Sequence, residues 1–247
     1  MSGIWEVLEL DRRRALTIRN LDVAYGSTLV VHDVTLVVEP GRVVGLVGAN
    51  GAGKTTLIDA VTGFTPVRAG EVLLGEESLG AMKPSRRVRA GLVRTFQNLE
   101  LFDDLTVGEN LTVAGAGSRR DGSFEPTTVL NLLGVSHLAD TPAADLSAGD
   151  LRRVALARAL MCQPSCLLVD EPAAGLDHDE TAALSEVLRT IASTGVGILL
   201  IDHDMSLVLE VCDDLFVLDF GELIASGNPT EVVADPRVVE AYLGSDA

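Results

Sequence analysis

The segment Gly48-Ala49-Asn50-Gly51-Ala52-Gly53-Lys54-Thr55-Thr56 constrains this chain more than any other. It satisfies the pattern G-x-x-x-x-G-K-[ST] in full. The apolar run Val43-Val44-Gly45-Leu46-Val47 before it reads as a buried strand, and Lys54 to Thr62 reads as a helix. In that strand–loop–helix setting the glycines let backbone N–H groups converge on phosphate. The helix N-terminus adds about half a positive charge beneath them. Lys54 can reach the terminal phosphates of a nucleoside triphosphate, and the Thr55 hydroxyl can ligate Mg²⁺.

The charge balance narrows the partners. A net charge of −17 over 247 residues argues against nucleic acid, which needs clustered Lys and Arg, and against an anionic membrane surface. No apolar run reaches the about 18 residues a membrane span requires, so no direct lipid insertion is expected. The first residues carry charges and no apolar core of signal-peptide length, so the protein is expected in the cytoplasm. Cys162, Cys166 and Cys212 lack partners at metal-ligand spacing and read as small buried hydrophobes in a reducing compartment.

Residues 1–15 read as a polar, partly helical N-terminal extension. Leu16 to Arg19, Thr28 to Val38 and Gly70 to Gly75 read as strands. Residues 98–163 change to helical patterning, broken by a Gly/Ser/Arg loop from Gly115 to Ser123. From Cys166 the pattern alternates again: strand 166–170, helix 179–193, strand 197–202, helix 205–211, strand 214–219. The expectation is an α/β fold: a nucleotide-binding core of residues 16–97 and 164–247 with a mostly parallel sheet, an antiparallel β subdomain, and an inserted helical lobe of residues 98–163.

Further features narrow the chemistry. Cys166-Leu167-Leu168-Val169-Asp170-Glu171-Pro172 is an apolar strand ending in two carboxylates. Ligands of a parallel sheet sit at the carboxyl ends of its strands. Asp170 can then approach Mg²⁺, and Glu171 can polarise an attacking water. Ser147 and Gly149 in Leu146-Ser147-Ala148-Gly149-Asp150 present a hydroxyl and bare amides at a helix start; Ser147 with Asp150 is equally a capping box. Gln97, after Arg94-Thr95-Phe96, can ligate Mg²⁺ or hold the water, although a lone Gln is ordinarily a surface residue. His203, between Asp202 and Asp204, can contact a γ-phosphate or be a surface histidine satisfied by its acids. Tyr25, before Gly26, can stack on adenine or be a strand-end core aromatic.

The order Tyr25, phosphate loop, Gln97, Leu146–Asp150, Asp170-Glu171-Pro172, Gly175-Leu176-Asp177 and His203 resembles the ATP-binding subunit of an ABC transporter, from about residue 17 to 247. Arg94–Asn98, Leu101-Phe102, Leu105–Val107, Asp170–Leu176, Asp202–Met205 and the ending Asp235–Gly244 are most similar to the LivG-like branch, from uptake systems for branched-chain amino acids. The resemblance implies an ATPase working as a dimer that sandwiches two MgATP. Residues Gly48 to Thr56, Tyr25, Thr55, Gln97 and Asp170 would hold the nucleotide and its metal. Glu171 would be the general base, and His203 would sense the γ-phosphate. Ser147 and Gly149 would contact ATP on the opposite subunit, and Asp177 would lie at the dimer seam. It also implies membrane permease subunits received near Gln97, a second ATP-binding subunit that is a paralogue rather than a second copy, and a solute-binding protein acting indirectly.

Asp150 stands where the family usually has Gln, Ala148 where it often has Gly, Tyr or another residue, and Asp177 where this branch commonly has Asn. The helical lobe is shorter than is usual around Gly115 to Pro126. The alternatives are an exporter of lipid or lipopolysaccharide, a soluble ABC ATPase acting outside transport, and a regulatory subunit with a weak site.

Overall fold

The run Val43–Val47 forms strand β3, buried at every position. Strands β8 (Gly197–Ile201) and β9 (Asp214–Asp219) lie parallel on its two sides. Beyond β8 follow β7 (Cys166–Asp170) and β6 (Leu92–Arg94), also parallel. Beyond β9, β10 (Glu222–Gly227) pairs antiparallel and closes the sheet in the order β10-β9-β3-β8-β7-β6. This computed structural model describes residues 14–95, 101–117 and 125–243.

The side chains of these strands alternate between two cores, as the period of two requires. Val43, Val47, Leu167, Val169, Ile198 and Leu200 face one core. Val44, Leu46, Cys166, Leu168, Leu199 and Ile201 face the other. The second core is closed by helix α1 (Lys54–Thr62) and an antiparallel sheet of order β2-β1-β4-β5. That sheet comprises β1 (Leu16–Tyr25), β2 (Thr28–Val38), β4 (Val67–Leu74) and β5 (Glu77–Ser78). The first core is closed by helices, including α3 (Val107–Gly117), α4 (Pro126–Leu132), α5 (Ala148–Leu160), α6 (His178–Ser193) and α7 (Met205–Val211). Leu111, Leu130, Val154 and Leu160 pack into that same core beside the sheet. The expected α/β class, with parallel core, antiparallel sheet and helical segment, is the architecture observed.

Caps fix where the helices begin. Asp177 and Glu180 exchange both bonds of a capping box at α6, and Thr106 and Glu109 do the same before α3. The Asp204 carboxylate caps α7 through the N–H groups of Ser206 and Leu207; the Ser206 hydroxyl, first among its hydrogen bonds, holds it below the usual carboxylate range.

Strand β4 begins at Val67, earlier than the sequence suggests, and runs through Gly70. Glycine is required there because a Cβ would lie 2.2 Å from the Asn20 carbonyl oxygen. The structure adds β5, β6, β10, α2 (Pro84–Ala90), α8 (Pro229–Val232) and α9 (Pro236–Leu243) to the elements read from the sequence. Helix α2 is clamped by buried Arg87, which donates to the Ala60 and Val61 carbonyls at the end of α1 at 2.9 and 2.6 Å. Residues 1–13 of the expected extension lie outside the described residues; Arg14 and Ala15 have no regular structure. Among the described residues no helix is long and apolar enough to cross a membrane.

Candidate functional site

Leu46 pairs with Ile201, and Ile201 with Asp170, so one row crosses the three adjacent strands β3, β8 and β7. One to two residues beyond that row the chain enters the phosphate loop after Val47, Asp202-His203 after Ile201, and Glu171 after Asp170. The carboxyl ends of the strands therefore gather these groups on one edge of the sheet, where ligands of parallel sheets bind.

The phosphate loop is shaped by close approach. A Cβ on Gly48 would sit 2.1 Å from the Leu218 carbonyl oxygen of β9, so no larger residue fits. Gly53 is the N-cap of α1, and no side chain occupies the cap. The N–H groups of the first helical turn are thus left to whatever the loop holds. The Lys54 ammonium donates to the Gly48 and Ala49 carbonyl oxygens at 2.6 and 3.0 Å and lies across the loop. Burial lowers its pKa, and the neighbouring charges of Glu171 and Asp170 oppose that shift. Lys54, Asp170 and Glu171 thus form one electrostatic group. Thr55 is exposed in the first turn.

Asp170 is not a solvated strand end. Arg94 reaches its Oδ2 at 2.8 Å and Asp59 Oδ1 of α1 at 2.6 Å. Glu171 has φ +47°, the left-handed region that costs a non-glycine residue on the order of 1–3 kcal/mol. Its N–H donates to the Ile201 carbonyl at 2.7 Å, so the sheet hydrogen bonding holds it there. The fully buried Asp202 carboxylate accepts from the N–H groups of Ala173 at 3.0 Å, His203 at 2.7 Å and Asp204 at 2.9 Å. It staples the segment after Glu171 to the loop carrying His203. The His203 side chain is 68% exposed, with Nδ1 3.7 Å from Asp202.

Ser147 is the N-cap of α5 and is exposed, with Gly149 half-buried behind it. Arg152 of α5 donates to the carbonyl oxygens of Pro172 at 2.6 Å and of Ala174, locking α5 to the segment after Glu171. The Asp177 carboxylate is committed to its capping box. Tyr25 is 54% exposed at the end of β1, with its hydroxyl 3.4 Å from Thr65 Oγ1, and is not a core residue. Gln97 lies outside the described residues. Sequence reasoning missed Arg94, Arg152 and Asp202. Their signal was weak because their partners are distant in sequence: Arg94 meets Asp59 and Asp170, Arg152 meets Pro172, and Asp202 meets Ala173.

The three cysteines are free thiols. Cys166 is fully buried and Cys162 and Cys212 are half-buried; burial raises the pKa of each, that of Cys212 to about 12. No group of three or more His, Cys, Asp or Glu among the described residues could hold a metal ion by itself.

A family described as ABC transporter matches residues 31–174, and one described as branched-chain amino acid ATP-binding cassette transporter matches residues 222–247. The chain is 36% identical over 93% of its length to the high-affinity branched-chain amino acid transport ATP-binding protein LivG of Escherichia coli K12, covering 97% of that protein. It is equally 36% identical, over 94% of its length, to the lipopolysaccharide export system ATP-binding protein LptB of the same strain, covering 98%. Among solved structures it is similar to an ABC transporter's ATP-binding cassette in its ADP conformation, with TM-score 0.85, 30% identity, and coverage of 94% of this chain and 99% of that one. A nucleotide-free cassette gives TM-score 0.83 at 30% identity, covering 93% and 98%. With the phosphate loop, the paired carboxylates and this fold together, the chain belongs to the ATP-binding subunits of ABC transporters, the ATPases that work with membrane permeases to power transport.

Proposed function

We propose that this chain powers an importer of branched-chain or related amino acids. It would act on the cytoplasmic face, bound to permease subunits and paired with a paralogous ATP-binding subunit, while a solute-binding protein delivers cargo. The observation that carries this reading is the match of residues 222–247 to the branched-chain amino acid family, since overall identity favours neither LivG nor LptB. The equal identity to LptB supports a second reading, export of a lipid or lipopolysaccharide.

In the proposed mechanism the loop Gly48 to Thr56 wraps the phosphates, Lys54 moves from its own loop carbonyls to the terminal phosphates, and Tyr25 stacks on adenine. The donor set fits Mg²⁺: the Thr55 hydroxyl, the Asp170 carboxylate and the Gln97 amide are hard oxygen ligands, few enough to leave room for phosphate and water. These three groups would hold Mg²⁺, whose positive charge would offset the negative charge that develops on the phosphates. Glu171 orients the attacking water and takes its proton. His203 senses the γ-phosphate from the end of β8. Ser147 and Gly149 meet the nucleotide on the opposite subunit, and Asp177 lies at the seam.

Reconstitution of the chain with its permeases tests the cargo. Stimulation of ATPase activity by a solute-binding protein loaded with leucine supports the proposal. Stimulation by lipopolysaccharide or lipid, and none by amino acid, contradicts it.

A further inference from the structure

The Arg94 guanidinium is shared between two carboxylates on two different elements. Nη1 meets Asp59 Oδ1 at 2.6 Å on α1, and Nη2 meets Asp170 Oδ2 at 2.8 Å at the end of β7. The Arg94 side chain is only 10% exposed, so both bonds form largely away from water. Arg94 itself ends β6, in register with Leu168 of β7, and Thr95 extends the pairing by donating to the Leu168 carbonyl at 2.9 Å.

Asp59 lies four residues after Thr55, so the two share one face of α1. A continuous path therefore runs from Thr55 along α1 to Asp59, through Arg94, to Asp170. Its two ends are the two candidate metal ligands among the described residues. We propose that Arg94 is a positioning residue for the metal site: it holds the Asp170 carboxylate in one orientation and fixes its distance from Thr55. This rests on the reading of Thr55 and Asp170 as Mg²⁺ ligands.

The chemistry favours arginine specifically. A carboxylate held at one oxygen loses rotation about its last bond and presents the other oxygen in a fixed direction. The planar fork of a guanidinium can aim one nitrogen at each acid, whereas an ammonium on a flexible stem cannot span both with the same geometry. Two carboxylates and one guanidinium leave a net charge of −1, which favours a nearby dication.

The test is calorimetric titration of ATP into the purified chain carrying Glu171→Gln, which slows turnover, with Mg²⁺ and with EDTA. The ratio of the two affinities reports metal binding apart from nucleotide binding. Adding Arg94→Met should cut that ratio about tenfold, as loss of a residue supporting a metal ligand commonly does. Affinity in EDTA should stay within about twofold of the Arg94-containing chain, because the phosphate loop is untouched. Arg94→Lys and Asp59→Asn should each fall between. A contact that served only the fold would lower the melting temperature or both affinities together and leave the ratio alone. An unchanged ratio in Arg94→Met overturns the role of Arg94, whatever happens to stability. If the Arg94-containing chain binds ATP without any gain from Mg²⁺, the metal reading of Thr55 and Asp170 fails, and the role of Arg94 fails with it.

Discussion

The Ser147 hydroxyl donates to Asp150 Oδ2 across 2.7 Å and accepts from the Asp150 N–H at 3.2 Å. The carboxylate that replaces the family's usual Gln is thus folded onto its own helix cap, with Arg153 3.9 Å away. Asp150→Gln should leave ATPase activity within about threefold, because positioning and charge at the phosphates dominate this chemistry. Asp150→Ala should cost about 0.5–1 kcal/mol in denaturant unfolding, the scale of a helix-start acid. A gain of tenfold or more in turnover from Asp150→Gln would show that the carboxylate does reach the nucleotide.

Glu171→Gln keeps the shape of a side chain held at φ +47° and removes its basicity. The variant should bind ATP and hydrolyse it at least about 100-fold more slowly, the scale of a lost general base. Single-turnover hydrolysis of radiolabelled ATP measures this; near-normal turnover contradicts the assignment.

Lys54→Ala removes the cation that lies across the phosphate loop. ATP affinity should fall below detection in a nucleotide titration, with the melting temperature of the nucleotide-free protein within a few degrees of the parent. Unchanged affinity would be incompatible with the phosphate-binding role.

Asp202→Ala leaves three backbone N–H groups without their acceptor. The expected loss is about 1–3 kcal/mol of stability, mainly from the one buried donor, the Ala173 N–H, left unsatisfied. ATPase activity should fall with it, since Ala173 and His203 lose their common anchor. Urea denaturation reads the first effect, and a loss under about 0.5 kcal/mol would show that water or rearrangement replaces the staple.

The buried thiols set an alkaline limit. Burial raises the pKa of Cys166, and raises that of Cys212 from 9.0 to about 12, with Asp213 and Asp214 adding to the rise at Cys212. The unfolded chain then loses these protons first. Stability is fully present below pH 9 and is lost as pH rises through the folded values, by at most about 1.4 kcal/mol per pH unit for each thiol. Cys212→Ala should flatten that decline between pH 9 and pH 11 in equilibrium unfolding. An unchanged slope would mean the thiol titrates normally in the folded chain.

The phosphate loop and the strands beside it were legible because their signals are local. Gly48 to Thr56 carries its own geometry, and β3, β7, β8 and β9 are apolar runs between turn residues. Strand β6 was not legible, because three residues give no period; only its parallel pairing with Cys166–Leu168 makes it a strand. Strand β10 and helices α8 and α9 are likewise short segments whose pairing or packing decides them. The capping box read for Ser147 and Asp150 is a local pattern of which half is present: Ser147 Oγ accepts from the Asp150 N–H, while the Asp150 carboxylate accepts from the Ser147 hydroxyl. The ion pairs of Arg94 join residues 35 and 76 positions apart, and no local pattern encodes such a distance.

If ATP chemistry at Lys54, Asp170 and Glu171 is coupled to a membrane permease, the ATP-bound protein should be recoverable with that permease. The most direct measurement is affinity capture of the tagged Glu171→Gln protein with MgATP from detergent-solubilised native membranes, with mass spectrometry of every co-purifying chain. The expected recovery is polytopic permeases together with a second ATP-binding subunit. Recovery of ribosomes or soluble partners alone would contradict it.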